Sequence, residues 1–117
     1  MKILVTGACG FIGYHLCKRL LELGHSIIGM DNFNNYYDPM IKYQRYDLLK
    51  KDSEIYNVNI QNPGFYSCLP KVDLIIHLAA QAGVRHSLID PDSYINTNIL
   101  GFFELMKYVI FFLILPR

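Results

Sequence analysis

The sequence predicts an α/β protein built around a doubly wound parallel sheet. Short apolar runs, typical of buried strands, alternate with longer segments of helical spacing, and this alternation indicates βαβ units. A glycine-rich turn, Gly7-Ala8-Cys9-Gly10-Phe11-Ile12-Gly13, separates the first strand from the first helix. The chain has 117 residues, and 52% of them are apolar. This length and composition fit one domain and exclude a disordered or low-complexity protein.

The elements are predicted in a regular order, with no internal repeat and no linker. They are a strand at 2–6, a helix at 11–23, a strand at 25–30, a loop at 32–38, a helix at 39–51, a strand at 54–60, a short helix at 65–69, a strand at 72–78, a loop at 79–90 and a helix at 91–108. Four strands are therefore expected, and a fifth is expected to begin near Val109.

Turn and capping residues support these boundaries. The first helix has an apolar face and ends at Gly24, because glycine accepts a positive φ at little cost. Pro39 suits the first turn of the second helix, and Asp90 is a candidate N-cap for the last one. The apolar face of the first helix is predicted to carry Ile12, Leu16, Leu20 and Leu23.

Charge and cysteine usage narrow the class of partners. Eleven basic and ten acidic residues leave a net charge of +1, which gives no reason to expect binding to nucleic acid or to an anionic membrane. The longest apolar run, residues 108–115, is shorter than the roughly 18 residues expected of a membrane span. The three cysteines form no CxxC pair, so we expect reduced thiols, a cytoplasmic location and no metal site.

The glycine-rich turn is the strongest chemical signal. Gly7 permits a tight turn, Gly10 lets a pyrophosphate approach the backbone, and Gly13 lets the helix approach the strand. The N-terminus of the helix then faces the phosphates with its free N–H groups. The spacing is GxxGxxG, which differs from the commonest dinucleotide fingerprint.

Asp31 is the predicted acidic partner of this turn. It ends the second strand, where a dinucleotide-binding protein places a carboxylate that bonds the adenosine ribose. A carboxylate there repels a 2′-phosphate, and no Arg or Lys follows until Lys42, so NAD is predicted rather than NADP. The alternative is a loop or capping aspartate.

Together these segments resemble the extended short-chain dehydrogenase/reductase superfamily, in its NAD-dependent epimerase/dehydratase branch. The resemblance rests on VTGACGFIGYHL, DNFNNYYD, VDLIIHLAAQAGVRHSL and YINTNILGFFELM, and it spans the chain to about residue 107. It implies a Rossmann-like sheet, NAD as cofactor and a nucleotide sugar as substrate. Residues 1–117 are then one incomplete NAD-binding domain, the N-terminal portion of the fold, without the substrate domain.

The resemblance also implies which residues contact the cofactor. They are Gly7, Gly10, Phe11, Ile12 and Gly13 at the pyrophosphate, Asp31, Asn32 and Asn35 at the adenosine ribose, Asn59 and Ile60 at the adenine, Leu78, Ala79, Ala80 and Arg85 at the nicotinamide side, and Asn98 beside the central sheet. The family usually has aspartate where Asn59 stands, so weaker adenine recognition is expected.

Several of these residues have structural alternatives. Residues 78–80 are also explained as the end of a core strand, Arg85 as a solvated loop residue and Asn98 as a helix-surface amide. His77 is interpreted as a hydrogen-bonded core histidine rather than a catalytic base. Ser87 is either a loop serine or a residue near substrate.

No catalytic residue is predicted within this chain. In the resembling family a tyrosine acts as base on a hydroxyl of the nucleotide sugar. A lysine follows this tyrosine four residues later, and both lie on a helix after the fifth strand. Two pairs have that spacing by chance, Tyr14 with Lys18 and Tyr46 with Lys50, and both precede the third strand. The tail at 109–117 departs from the family pattern, so a frameshift or premature stop is hypothesised, with a genuine fifth strand as the alternative.

Three interpretations of function remain at this point. The chain is the NAD-binding part of a nucleotide-sugar epimerase, or of a related dehydratase, and inactive alone. Alternatively, it is a non-catalytic NAD-binding module. A third interpretation, a membrane-associated fragment, is suggested by the apolar tail, but this tail is too short to span a membrane. The resemblance also implies a homodimer, in which the helix at 91–108 would supply part of the contact.

Overall fold

A computed structural model describes residues 1–34 and 38–114. The chain divides into two compact units, each described here by itself. Unit 1 comprises Met1–Val58 and Val72–Leu78, and unit 2 comprises Asn59–Lys71 and the chain from Ala79 onward. The grouping of residues 1–117 as one incomplete domain stays a prediction.

Unit 1 contains a four-stranded sheet in which every pairing is parallel. Its strands are β1 (Lys2–Thr6), β2 (Ser26–Asp31), β3 (Glu54–Asn57) and β4 (Leu74–His77). Their order across the sheet is β3-β2-β1-β4, with Val5 paired to Gly29 on one side and to Ile76 on the other. Parallel strands joined by helices form the Rossmann-like α/β fold, which confirms the predicted class.

The core of unit 1 lies where the central strands meet the first helix. β1 is buried at four of its five positions, as expected of a strand covered on both faces. The buried cluster consists of Ile3, Val5, Ala8, Cys17, Ile27 and Leu49. Because the strands are parallel, their carboxyl ends lie along one edge of the sheet, and Thr6 and Asp31 end two neighbouring strands there.

The helices of unit 1 are α1 (Phe11–Glu22) and α2 (Met40–Leu49). The predicted apolar face of α1 was wrong at its two ends, whereas Leu20 packs against the core as predicted. Gly13 and Cys17 are buried, whereas the Ile12 side chain is 66% exposed and that of Leu23 is 57% exposed. The reason is steric, because the close approach of Gly13 to the turn fixes which face of the helix is directed to the sheet.

Unit 2 is helical. Its elements are α3 (Pro63–Tyr66), α4 (Val84–Ile89) and a long helix, α5 (Pro91–Ile114), which is α-helical at Pro91–Tyr94 and Gly101–Tyr108 and π-helical at Ile95–Leu100 and Val109–Ile114. The prediction of a loop at 79–90 missed α4. The N-cap of α4 is Gly83 at a φ of 101°, with no side-chain cap that could have marked it in the sequence.

Aromatic and aliphatic packing holds unit 2 together. The rings of Tyr66 and Tyr108 lie 5.6 Å apart, and their hydroxyls donate to the carbonyls of Ile60 and Pro70. Gly101 gives Ile60 room, since a Cβ at this position would lie 2.4 Å from the Ile60 Cγ1. Burial raises the pKa of the Tyr66 hydroxyl.

The predicted fifth strand near Val109 was also wrong, because Val109–Ile114 continues α5. No turn separates this segment from Gly101–Tyr108, and the ring of Phe112 stacks on Tyr108 at 5.6 Å, one helical turn back. Among the described residues, α5 is the one helix that by length and composition could cross a membrane. The core helix of a globular protein can have the same length and apolar composition, so these two properties do not identify a membrane span.

Candidate functional site

The glycine-rich turn joins β1 to α1 at the carboxyl edge of the sheet. Gly7 has a φ of 71°, a conformation that favours glycine, and its carbonyl accepts the Gly10 N–H at 3.0 Å. A Cβ on Gly13 would lie 2.0 Å from the Gly7 carbonyl oxygen, and a Cβ on Gly10 would lie 3.2 Å from the same atom. Each glycine of the motif therefore occupies a place that a larger residue would disturb.

The N-terminus of α1 opens directly from this turn. Gly10 is its N-cap, with no side-chain hydrogen bond to the first turn. The first N–H groups of a helix have no intrahelical partner, and with the helix dipole they form a receptor for an anion. The side chains of Phe11 and Ile12 are 68% and 66% exposed, so their predicted contact with pyrophosphate would be made by the backbone. The geometry fits a dinucleotide phosphate.

Asp31 ties the turn to the end of β2. Its Oδ2 accepts the Cys9 N–H at 3.0 Å, and its Oδ1 accepts the Phe33 N–H at 2.8 Å. Lys42 of α2 donates to the same Oδ1 at 3.2 Å. A carboxylate has about four acceptor positions, so these three donors leave room for about one ribose hydroxyl. Asp31 is thus a structural anchor that is compatible with its predicted contact to ribose.

The ion pair changes the argument for cofactor choice. Lys42 is buried against Asp31, and their side chains are 9% and 3% exposed. The lysine offsets the carboxylate charge, so electrostatic repulsion of a 2′-phosphate is weaker than the sequence alone predicted. Selection of NAD must depend more on the space beside the carboxylate and on its remaining acceptor position.

The segment after Asp31 forms a tight loop. The Asn32 Oδ1 accepts the Asn34 N–H at 3.1 Å, and Phe33 has a φ of 53°. The Phe33 ring is buried and stacks on Tyr43 of α2 at 4.7 Å. Asn32 is exposed at this end of β2, where the predicted ribose contact would require it. Asn35 lies outside the described residues.

A second polar contact joins the ends of β1 and β4. Thr6 Oγ1 lies 2.6 Å from Nδ1 of His77 and accepts the Leu78 N–H at 3.0 Å. Burial lowers the pKa of His77 and favours its neutral ring. This arrangement supports the interpretation of His77 as a hydrogen-bonded core histidine. Leu78 is held here by its backbone, as predicted for a residue at a strand end.

Within unit 2, Asn98 is fixed by two hydrogen bonds. Its Oδ1 accepts the Gln81 N–H at 2.8 Å, and its Nδ2 donates to the Gln81 carbonyl at 3.1 Å. Asn98 therefore holds the segment that follows Ala79 and Ala80 against α5. Asn98 is exposed on α5, as expected of its alternative as a helix-surface amide, and its predicted place beside the cofactor stays a prediction. Gln81 is a structural partner that the sequence analysis missed.

The other predicted residues of unit 2 occupy different environments. Asn59 is exposed, and its carbonyl accepts the Asn62 N–H at 3.1 Å. Ile60 is buried against Gly101, and Arg85 is exposed on α4. Ser87 donates to the Val84 carbonyl one turn back. Their cofactor contacts stay predictions.

The two tyrosine–lysine pairs belong to different helices, with Tyr14 and Lys18 on α1 and Tyr46 on α2. Tyr14 and Lys18 line a groove of about 820 Å³ together with Gly24 and His25, which precede β2. Ligands of open α/β sheets bind at the opposite edge, beyond the carboxyl ends of the strands. Lys50 lies over the Tyr46 ring, 5.5 Å from its centroid, near the C-terminus of α2. The Tyr46 ring also lies 5.9 Å from that of Phe33, beside the end of β2. Chance spacing therefore stays a prediction for both pairs.

The fold and the turn are those of a Rossmann-like domain of the dinucleotide-binding class. The chain belongs to the NAD dependent epimerase/dehydratase family, whose family model matches residues 3–110. NAD is the cofactor in the family's description, in agreement with the cofactor predicted from the sequence.

Curated proteins and solved structures agree with this assignment. The chain is 42% identical to protein CapI of Staphylococcus aureus and 42% identical to UDP-glucuronate 4-epimerase 6 of Arabidopsis thaliana. Both alignments cover 92% of the present chain. It spans only 33% and 24% of those two proteins.

The fold matches a solved UDP-glucuronic acid 4-epimerase from Bacillus cereus, in complex with UDP-glucuronic acid and NAD. The TM-score is 0.85 at 34% identity, over 93% of this chain and 36% of that one. A UDP-glucose 4-epimerase from Thermotoga maritima, with UDP-glucose, matches with a TM-score of 0.79 at 32% identity, over 94% of this chain and 34% of that one.

Proposed function

We propose that this chain is the NAD-binding portion of a nucleotide-sugar 4-epimerase and that its substrate is UDP-glucuronate. The observation that carries the proposal is the fit of the glycine-rich turn to a dinucleotide phosphate, in a chain of the NAD dependent epimerase/dehydratase family. The similarity to UDP-glucuronate 4-epimerases supports the choice of sugar. The match to a UDP-glucose 4-epimerase favours a related nucleotide sugar as the second candidate.

The chain's own residues would bind and orient the cofactor, which when bound supplies a hydride acceptor for oxidation of a sugar carbon. The backbone from Gly10 to Gly13 would hold the pyrophosphate, with Gly7 shaping the turn. Asp31 and Asn32 would hold the adenosine ribose. The contacts inferred from the resemblance for Asn35, Asn59, Ile60, Leu78, Ala79, Ala80, Arg85 and Asn98 remain part of this proposal.

Turnover is not expected from residues 1–117 alone. The family resemblance places the tyrosine–lysine pair and the sugar-binding residues at positions beyond those of this chain, so an assay with UDP-glucuronate and NAD should show no epimerisation. Measurable turnover would overturn this part of the proposal. A cytoplasmic location, expected from the cysteine usage, and a homodimer, implied by the resemblance, remain proposed.

Titration calorimetry with NAD tests the binding function directly. Gly13→Ala places a Cβ 2.0 Å from the Gly7 carbonyl oxygen, so the turn must shift and NAD binding should be lost. Gly64→Ala is the matched control, because its Cβ would meet nothing closer than 3.6 Å. Heat and thermal protection from NAD in the control and the parent chain, but not in Gly13→Ala, support the proposal. The absence of both heat and thermal protection in the parent chain would contradict the proposed NAD binding.

A further inference from the structure

Helix α2 contacts the glycine-rich turn through one arginine. The Nη1 of Arg45 donates to the Cys9 carbonyl at 3.1 Å, and the side chain is half-buried. Cys9 is fully buried, and its N–H donates to the Asp31 carboxylate. Both peptide groups that flank Cys9 are therefore held by charged side chains.

The Cys9–Gly10 peptide is fixed at both ends. Arg45 donates to the carbonyl oxygen of this peptide, which belongs to Cys9. The N–H of the same peptide belongs to Gly10 and donates to the Gly7 carbonyl at 3.0 Å. Gly10 is the N-cap of α1, so the plane of this peptide sets the direction in which the helix begins. A hydrogen bond from a charged donor is stronger than a neutral one, which suits it to holding a backbone plane.

We propose that Arg45 is a positioning residue for the glycine-rich turn, holding it in the conformation that receives the pyrophosphate. The inference rests on the proposed function, because it assigns the turn to NAD. Arg45 acts through the Cys9 carbonyl and has no assigned contact with the cofactor. The planar guanidinium also reaches farther than a shorter amide, so Arg45→Gln would lose the contact while remaining polar.

Amide exchange in the NAD-free protein tests the positioning role independently of cofactor binding. In Arg45→Met, the Gly10 and Cys9 amides should exchange about tenfold faster, which corresponds to about 1.4 kcal/mol of local opening. The amides of β2 should keep their rates. Arg19→Met is the control, since Arg19 is exposed and pairs with Glu22 of its own helix, one turn away. Unchanged exchange at Gly10 and Cys9 would overturn the inference.

Calorimetry then connects the turn to the cofactor. The Kd for NAD should rise about tenfold in Arg45→Met and remain unchanged in Arg19→Met, measured at a temperature at which both variants are fully folded without NAD. If Arg45→Met does not fold, Arg45→Gln carries both measurements. A parent chain that binds no NAD overturns the proposed function, and the exchange rates still decide the role of Arg45. Faster exchange without weaker NAD binding would overturn the link to the pyrophosphate.

Discussion

Lys42 Nζ lies 3.2 Å from Asp31 Oδ1, and both side chains are almost completely buried. The lysine comes from α2 and the aspartate from the end of β2, so the pair joins a helix to the carboxyl edge of the sheet. The same carboxylate accepts the Cys9 N–H from the glycine-rich turn. One buried charge thus connects three segments at the place where the cofactor is proposed to bind.

Removing the lysine should therefore be costly. Lys42→Met keeps an apolar stem but leaves the Asp31 carboxylate buried with, among the described residues, the two backbone donors of Cys9 and Phe33. Breaking a buried pair typically costs about 3–5 kcal/mol, and the retained hydrogen bonds place the expected loss near ~3 kcal/mol. Urea unfolding followed by circular dichroism measures this loss of stability.

An exposed pair on the same helix provides the control for Lys42. Lys50 lies 3.1 Å from the Asp47 carboxylate, with side chains 50% and 66% exposed. Lys50→Met should cost less than about 1 kcal/mol, because solvent screens such pairs. Equal losses in the two variants would contradict the claim that burial makes the Asp31–Lys42 pair important.

The elements that the sequence predicted are those whose signals are local. β1 was predicted at its observed bounds because its apolar run is followed directly by the glycine-rich turn. That turn was predicted from the regular spacing of Gly7, Gly10 and Gly13. The role of Arg45 was not predictable in this way, since it contacts Cys9 from 36 residues away. Such a contact depends on how α2 packs, which periodicity does not encode.

The errors have local physical causes. Ile12 was wrongly assigned to the buried face of α1 because the apolar periodicity favoured it, whereas steric contact at Gly13 decides which residues of the first turn are buried. The segment Val109–Ile114 consists of residues that favour strands, yet it continues a helix already formed before it. In both places a tertiary or neighbouring constraint outweighed intrinsic preference.

His77 makes stability depend on pH. Burial lowers its pKa in the folded state below the ordinary value of 6.5, so the unfolded chain binds the proton more readily. Stability from this residue is fully present above about pH 6.5 and is lost as the pH falls from there toward the folded-state pKa. Urea midpoints measured from pH 7.5 to pH 5 should decline with acidification.

Replacing the ring isolates its contribution. His77→Asn offers an amide to the Thr6 hydroxyl without titrating, so the decline between pH 7.5 and pH 5 should become shallower. His15→Gln is the control, since His15 is exposed on α1. A slope that is unchanged by His77→Asn, or flattened equally by His15→Gln, would contradict the assignment.

Gly101 and Ile60 should be energetically coupled within unit 2. Gly101→Ala introduces a Cβ 2.4 Å from the Ile60 Cγ1, which forces a buried side chain to move. Overpacking of this kind costs about 1–3 kcal/mol, less the gain of about 1 kcal/mol from replacing a helical glycine. In an Ile60→Ala background the clash is absent, so the same substitution should become stabilising. Additive effects in the double-mutant cycle would show that the contact carries no strain.

Thiol reactivity should distinguish the three cysteines. Burial raises the pKa values of Cys9 and Cys17 to about 12, whereas Cys68 is exposed in unit 2. Because the thiolate is the reactive form, Ellman's reagent at pH 8 should modify one thiol rapidly in the native chain and all three after denaturation. Cys68→Ser should remove the rapid phase, and Cys17→Ser should leave it intact. A second rapid thiol would mean that unit 1 opens around the glycine-rich turn or α1 faster than its buried core predicts.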